Sequence, residues 1–335
     1  MDNLTHGLTG ALMGQMGLKK TTGLGLAALV LGANLPDIDV VGLLWLDSKE
    51  ALGFRRGITH GPIGVVLLPA VLAALLWGFD RWQESRGKRP QGRDPVSFKW
   101  LYILGLIGAI SHTLMDWLNV YGVRFLYPFK SQWYYGDTLF IVDVWLWALL
   151  ALSVWWSARG EKRGQNWRLR GAGGFIAGCV FVAANWWITQ EALITYSINT
   201  KVAPTAENGL RPKPDIPTDL KIAAPVPFWP LQREIILGRK NEYYAIAPGA
   251  VPSPWDASAL TNARCAMPDL SVPRQTNSQL DGFLTWSRAP FAERAGDGSV
   301  ILRDARFYDP LARDRFSLAL PEVQCVPIDG EPGAD

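Results

Sequence analysis

This sequence has few charged residues and very little histidine or cysteine. Only 19% of its 335 residues are charged, 49% are hydrophobic, and it contains three histidines and three cysteines. Long stretches therefore hold too little charge to be solvated by water, which excludes a wholly water-soluble chain. The lysines and arginines gather in short segments between apolar runs, so membrane topology explains them and no nucleic-acid partner is expected.

The long apolar runs are confined to the first 200 residues. We predict six membrane-spanning helices there, of which the first is short for a span. They cover about residues 5–18, 22–46, 62–79, 100–119, 138–156 and 172–190. Residues 201–335 hold 17 of the 23 prolines, which marks a different kind of domain. The sequence thus predicts a mainly α-helical, polytopic membrane domain over residues 1–195 and a small β-rich domain over residues 196–335.

Positive charge predicts the orientation of these spans. Lys19 with Lys20, the connection 80–99 and the connection 157–171 hold 13 of the 18 lysines and arginines in the first 200 residues. By the positive-inside rule these three places are cytoplasmic. An even number of spans then puts both termini outside, so we expect a cell-membrane protein whose C-terminal domain is periplasmic or extracellular.

The C-terminal domain shows no chemical motif of its own. Strand-like runs occur at Glu234–Gly238, Tyr243–Ala247 and Val300–Leu302, the last after a Gly-Asp-Gly turn. Cys265 and Cys325 could persist as a disulfide outside the cell, although the sequence does not show that they meet. The domain could be a lid, a substrate selector or a partner-binding module, or only a stabilising appendage.

Ionisable residues inside the apolar runs are the candidates for function. His112 and Asp116 are four residues apart, so they share one face of a helix. Such groups are costly in a bilayer and normally face a partner, a cavity or an ion. A buried His–Asp hydrogen bond between helices would also explain this pair taken alone.

Other ionisable residues fall at the same predicted membrane level. Pro36 breaks the second run, which would let Asp37 and Asp39 point to one side from irregular backbone, although Asp37 alone could simply cap a helix. The full set is His6, Asp37, Asp39, His60, His112, Asp116 and Asp143. Three imidazoles and four carboxylates suit one or two divalent ions, zinc first, with manganese or iron as alternatives.

A metal at this level would favour hydrolytic chemistry, because it supplies a nucleophile from water at neutral pH. Asp39 or Asp116 could then act as a general base. Arg56 could hold an anionic group such as phosphate, whereas ordinary interface anchoring explains the neighbouring Arg55 equally well.

Several short motifs occur in an order typical of one family. They are His6-Gly7, Asn34-Leu35-Pro36-Asp37-Ile38-Asp39, Arg56-Gly57-Ile58-Thr59-His60, His112-Thr113-Leu114-Met115-Asp116-Trp117 with Tyr121-Gly122, and Asp143. Over about residues 1–160 the chain resembles the YdjM-like family of predicted membrane-bound, metal-dependent hydrolases, some of them LexA-regulated. The resemblance implies an inner-membrane metal protein, distantly similar to the zinc phospholipase C and P1 nuclease group.

Three functions compete at this stage. The first is a metal-dependent hydrolase of a phosphoester, a lipid or lipid-linked molecule that arrives from the outer leaflet, with membrane lipids as its other partners. The second is a transporter of metal ions or protons that uses the same residues. The third is a membrane protein whose metal only joins its helices. The inner halves of the spans look apolar, which argues against transport.

Overall fold

In a computed structural model, the chain divides into a helical unit and a second unit that carries the β-strands. The structure describes residues 1–202, 220–238, 245–248, 264–308 and 312–327. The helical unit comprises Met1–Val41 with Arg56–Trp186, and the second unit comprises Gly42–Arg55 with Trp187–Asp335. The second unit therefore includes a segment that interrupts the helical unit in the sequence.

Among the described residues, six α-helices overlap the six predicted apolar runs and three others lie outside them. They are α1 (Asn3–Gln15), α2 (Gly25–Gly32), α3 (Ser48–Phe54), α4 (Pro62–Ser85), α5 (Phe98–Trp117), α6 (Val144–Lys162), α7 (Trp167–Val202), α8 (Pro273–Thr276) and α9 (Ser278–Trp286). Pro62 begins α4 at the first helical position, where its missing N–H costs nothing. The helix α6 begins at Val144 rather than near residue 138, because Asp143 caps it.

Among the described residues, three helices are long and apolar enough to cross a membrane, namely α4, α5 and the Trp167–Thr195 part of α7. A fourth crossing arises if α2 and the 3-10 helix Leu35–Leu44 form one broken span, since they bend by 52° across a short break. A mainly helical membrane protein with a small β-sheet region is therefore confirmed. The six-span count remains a prediction.

The second predicted span is interrupted just before Pro36. Pro36 cannot donate a backbone hydrogen bond, and α2 ends at Gly32. The chain continues as a 3-10 helix from Leu35 to Leu44 rather than as extended or irregular backbone. The prediction of extended or irregular backbone was therefore wrong. Both carboxylates nevertheless approach His60, Asp37 at 4.0 Å from its Nε2 and Asp39 at 3.7 Å from its Nδ1.

Small residues bring α1, α2 and α5 into close contact. A Cβ atom on Gly10 of α1 would lie 2.8 Å from the Leu29 carbonyl oxygen, and one on Gly108 of α5 would lie 2.6 Å from the Ala33 backbone nitrogen. Only glycine permits such an approach of helix backbones. This packing brings the C-terminal end of α2 against α1 and α5, whose His6 and His112 rings stack on each other.

The second unit contains two antiparallel sheets. One sheet has β1 (Leu220–Val226), β2 (Trp229–Gly238) and β3 (Ala245–Pro248), and the other has β4 (Arg264–Cys265), β5 (Pro290–Arg294), β6 (Ser299–Asp304) and β7 (Ser317–Gln324). The three strand predictions are met by β2, β3 and β6, although Tyr243 and Tyr244 lie outside the described residues. Cys265 and Cys325 form a disulfide.

Candidate metal centre

Four buried side chains of the helical unit converge on one point. They are Asp37, His60, His112 and Asp116. Each offers one ligand atom, and these atoms all lie within 4.8 Å of one another. His112 and Asp116 share a face of α5, as their spacing predicted, while Asp37 comes from the 3-10 helix and His60 from the turn before α4. We refer to these four residues as the cluster.

The ring of His112 is oriented by the end of α2. Its Nδ1 lies 2.7 Å from the Ala33 carbonyl oxygen. A carbonyl oxygen can only accept, so Nδ1 carries a proton, and in the neutral ring Nε2 keeps its lone pair. That lone pair is directed at the cluster. A backbone carbonyl behind a histidine is a common arrangement in metal sites, where it fixes the tautomer.

The ring of His60 is oriented by a short chain of hydrogen bonds. Its Nδ1 lies 2.9 Å from the Thr59 hydroxyl, which is 3.4 Å from the Asp39 carboxylate. In the tautomer with the proton on Nδ1, the hydroxyl accepts from Nδ1–H and donates to Asp39. In that tautomer the His60 Nε2 also presents a lone pair, 3.2 Å from the Asp116 carboxylate.

The cluster is short of positive charge between its ligand atoms. The Nε2 atoms of His60 and His112 are 3.1 Å apart, and both have lone pairs in these tautomers. Two such nitrogens beside a carboxylate repel one another unless a cation lies between them. Imidazole nitrogen and carboxylate oxygen are ligands that zinc, manganese and iron accept. The donor set therefore fits a divalent metal ion.

His6 adds an unsatisfied imidazole at the edge of the cluster. Its ring stacks on His112 with centroids 3.7 Å apart, and its Nε2 is 3.4 Å from Asp116 Oδ1. Neither ring nitrogen of this buried side chain has a hydrogen-bond partner among the described residues. Leaving such a group unsatisfied costs about 1–3 kcal/mol. A bound ion or its water would satisfy it.

The other two predicted ligands, Asp39 and Asp143, are not among the four converging side chains. Asp39 accepts the backbone N–H of Arg56 at 2.7 Å and faces Thr59, behind the His60 ring. Asp143 is the N-cap of α6 and accepts the backbone N–H groups of Trp145 and Leu146. The structure does not bring these carboxylates into the cluster, so their assignment as ligands stays a prediction.

Arg56 is buried and anchored to the cluster. Its Nε lies 2.9 Å from Asp116 Oδ2, and its Nη1 lies 3.2 Å from the Asn119 side-chain oxygen and 2.9 Å from the Gly122 carbonyl. The guanidinium also stacks over the ring of Tyr121 at 4.3 Å. Asp116 additionally contacts the amino group of Met1. The arginine thus provides fixed positive charge beside the cluster.

A second buried arginine follows in the next loop. The Arg124 backbone N–H donates to the Arg56 carbonyl at 3.3 Å. Its guanidinium stacks over the rings of Tyr127 and Trp133 at 4.6 and 4.9 Å and interacts electrostatically with Asp39. The aromatic side chains of this loop therefore hold Arg124 in place.

Sequence reasoning missed three groups that position the site. They are the Ala33 carbonyl, the Thr59 hydroxyl and the Asn119 amide. Thr59 directly precedes His60, and Asn119 follows Asp116 by three residues on the same helix end. A search for polar residues next to each candidate ligand would have found these two. No sequence signal marks a backbone carbonyl.

An apolar cavity of about 500 Å³ lies in the same unit. It is lined by residues of α1, α5, α6 and α7, among them Thr9, Met115, Leu150 and Cys179. Thr9 lies three residues after His6 on α1, and Met115 lies between His112 and Asp116 on α5. The cavity and the cluster therefore use neighbouring faces of these two helices. The Thr9 hydroxyl donates to the Thr5 carbonyl at 2.9 Å, which leaves the cavity wall apolar.

The fold and the cluster define a helical membrane protein with a buried His/Asp site that could hold a metal ion. The chain belongs to the family described as YdjM inner membrane protein, whose family model matches residues 1–192. This confirms the resemblance seen in the motifs.

The chain is also similar to the uncharacterized protein YfhP of Bacillus subtilis (strain 168), at 25% identity over 132 residues. The match covers 39% of this chain and 36% of that protein. No solved structure matches the chain.

Proposed function

We propose that this protein is a membrane-bound, metal-dependent hydrolase that acts on a phosphoester, a lipid or lipid-linked molecule, at the outer side of the inner membrane. The observation that carries the proposal is the convergence of two imidazole Nε2 atoms and two carboxylates, with each ring held from behind by its Nδ1. A metal-free His–Asp hydrogen bond between helices needs no such uniform orientation of its lone pairs.

The metal would be held by Asp37, His60, His112 and Asp116, with His6 adjacent. When bound, such an ion supplies Lewis acidity and activates water at neutral pH. The surrounding residues prepare the site for it. Thr59 and Asp39 keep the His60 lone pair directed inward, and burial keeps bulk water out.

The charge of the site favours an anionic substrate. Three buried carboxylates, those of Asp37, Asp39 and Asp116, lie with the two buried guanidinium groups of Arg56 and Arg124. The Met1 amino group on Asp116 adds a further positive charge, so a divalent ion in the cluster would leave an excess of positive charge. A phosphodiester carries one negative charge and would offset part of this excess. Arg56 would then orient the phosphate through charge-assisted hydrogen bonds.

Two further features support the lipid substrate and the outer location. The apolar cavity beside the cluster could take a hydrocarbon chain, whose burial contributes about 0.8 kcal/mol per methylene. The Cys265–Cys325 disulfide suits an oxidising compartment such as the periplasm. The disulfide agrees with the orientation predicted from the lysines and arginines.

Metal analysis tests the proposal directly. Purified, detergent-solubilised protein should contain close to one equivalent or more of zinc, manganese or iron by elemental mass spectrometry. The double variant His60→Ala/His112→Ala should lose it while still inserting. Ser153→Ala is the matched control, because it also removes a buried polar group of the helical unit but lies on α6, outside the cluster.

The metal-loaded protein should then hydrolyse a member of a phosphodiester lipid panel, and the double variant should not. A well-folded protein without metal would overturn the proposal. Metal-dependent flux through proteoliposomes without turnover would favour transport instead. Unfolding on chelation, again without turnover, would favour a metal that only joins helices.

A further inference from the structure

The segment Gly42–Arg55 lies in the sequence between two parts of the candidate site. Asp37 and Asp39 precede it, and Arg56, Thr59 and His60 follow it. In the structure this segment belongs to the second unit, together with Trp187–Asp335. The chain therefore leaves the helical unit between two groups of site residues and returns directly to the second group.

The helix α3 of this segment packs on α9 with almost no space between the backbones. A Cβ atom on Gly53 would lie 2.8 Å from the Gly282 Cα, and one on Gly282 would lie 2.6 Å from the Lys49 carbonyl oxygen. Ala51 and Leu52 of α3 are buried, as are Leu280 and Phe283 of α9. The contact is thus a close helix pair made possible by two glycines.

Polar contacts fix the position of α3 along this surface. The Ser278 hydroxyl donates to the Glu50 carboxylate, and the Lys49 ammonium donates to the Arg315 carbonyl at 2.8 Å. Glu50 also accepts the Asp47 backbone N–H at 2.9 Å, which completes a capping box at the start of α3. These hydrogen bonds and the close glycine contacts together hold α3 against α9.

The two ends of the segment meet at the site. The Arg56 N–H donates to the Asp39 carboxylate at 2.7 Å, so the hydrogen bond that orders Asp39 also closes the loop. Arg56 has φ of 54°, a left-handed conformation that is unfavourable for an arginine and has to be maintained by its surroundings. Holding α3 on α9 restricts the conformational freedom of the loop. This lowers the entropic cost of bringing Asp39 and Arg56 together.

We propose that the C-terminal domain positions the candidate metal centre by holding α3 on α9. This role depends on the proposed metal site but goes beyond the proposed hydrolysis. It makes Gly53 and Gly282 positioning residues, because they act on His60 through Arg56 and Asp39. It also gives the C-terminal domain a function other than that of an appendage.

The variant Gly282→Leu tests this in the full-length protein. Its side chain would displace α3, so we expect hydrogen exchange of the Arg56 amide to accelerate at least tenfold. We also expect zinc affinity, measured by competition with a chelator, to fall about tenfold, as for other changes behind the ligands. Gly296→Leu is the matched control, since a Cβ atom there meets nothing within 4 Å.

A second variant tests whether the effect comes from unfolding of the C-terminal domain rather than from release of α3. Gly53→Leu changes the α3 side of the contact and leaves α9 itself unaltered, and the Cys265–Cys325 disulfide should remain oxidised in both variants. Cleavage by trypsin at Lys49 reports release of α3. Release of α3 with unchanged Arg56 exchange and unchanged zinc affinity would overturn the inference. Absence of zinc binding in the wild type would instead refute the metal site, and the exchange rates would still decide whether α3 orders Arg56.

Discussion

The Nε2 atoms of His60 and His112 lie 3.1 Å apart, and each ring is held in that position by a partner on its Nδ1. The partners differ: His112 uses a backbone carbonyl, whereas His60 uses a side-chain hydroxyl that leads to Asp39. Only the second arrangement can be altered by mutation without moving the backbone. The His60 side of the site therefore offers the sharper tests.

Thr59→Val should weaken metal binding without abolishing it. The valine keeps the shape of threonine but removes the hydroxyl that holds the His60 tautomer, and such changes typically cost about 10–100-fold in affinity. Thr59→Ser keeps the hydroxyl and should bind metal like the wild type. Chelator competition measures both. Equal affinity in the valine and serine variants would show that the hydroxyl has no part in orienting His60.

Asp39→Asn separates a positioning role from a ligand role. If Asp39 acts through Thr59 and the Arg56 N–H, the asparagine oxygen can still accept one hydrogen bond, and binding should weaken by no more than in Thr59→Val. Elemental analysis after gel filtration gives the metal content. Complete loss of metal from Asp39→Asn, with retention in Thr59→Val, would establish Asp39 as a ligand, as its sequence position predicted.

Arg56→Ala should destabilise the helical unit. It removes the contacts to Asp116, Asn119 and Gly122 and leaves a buried carboxylate without its guanidinium partner. Breaking a buried ion pair from one side costs about 3–5 kcal/mol. Thermal unfolding of chelator-treated protein in detergent should show this loss. Lys130→Ala, a change of an exposed loop cation, serves as control, and an equal melting temperature in both variants would argue against the anchoring role.

Removal of the disulfide tests both stability and compartment. Cys265 and Cys325 are 60 residues apart, and the chain-entropy treatment gives about 4 kcal/mol for a loop of that length. Cys265→Ser/Cys325→Ser should lose stability of this order in denaturant unfolding. In native membranes both cysteines should resist alkylation until a reductant is added. Rapid alkylation without reductant would contradict the periplasmic placement.

The second unit should lose stability in acid through Asp304. Burial raises the pKa of its carboxyl, but the Arg306 guanidinium and the Ser287 hydroxyl outweigh this and bring the pKa below its ordinary value of 3.8. The ionised form therefore stabilises the folded state above pH 3.8, and this contribution is lost as the pH falls through the folded-state pKa.

Asp304→Asn should remove that part of the pH dependence. The variant should be less stable than the wild type at pH 7, and the difference should shrink as the medium is acidified. Hydrogen exchange of β5 and β6, corrected for the intrinsic effect of pH, follows the folded state directly. A constant difference between the two proteins from pH 7 to pH 3 would rule out this linkage.

Much of the fold was predictable because bilayers impose simple rules on sequences. The lengths of the apolar runs predicted where the membrane helices lie, and Pro36 predicted the break in the second run. The 3-10 continuation was not predicted, because helix type there depends on packing and not on a residue preference. The late start of α6 was missed because Asp143 was read as an intramembrane carboxylate, whereas its hydrogen bonds to Trp145 and Leu146 make it a cap.

The sequence by itself determined that the protein is a membrane protein of the YdjM family with His112 and Asp116 on one helix face. Helical periodicity and ordered motifs are properties of neighbouring residues, so they can be read directly from the chain. The tertiary structure alone decided that Asp37 enters the cluster while Asp39 holds His60 from behind, and that α3 packs on α9. Those relationships join residues far apart in sequence, and they depend on glycine contacts and backbone carbonyls whose positions exist only in the folded chain.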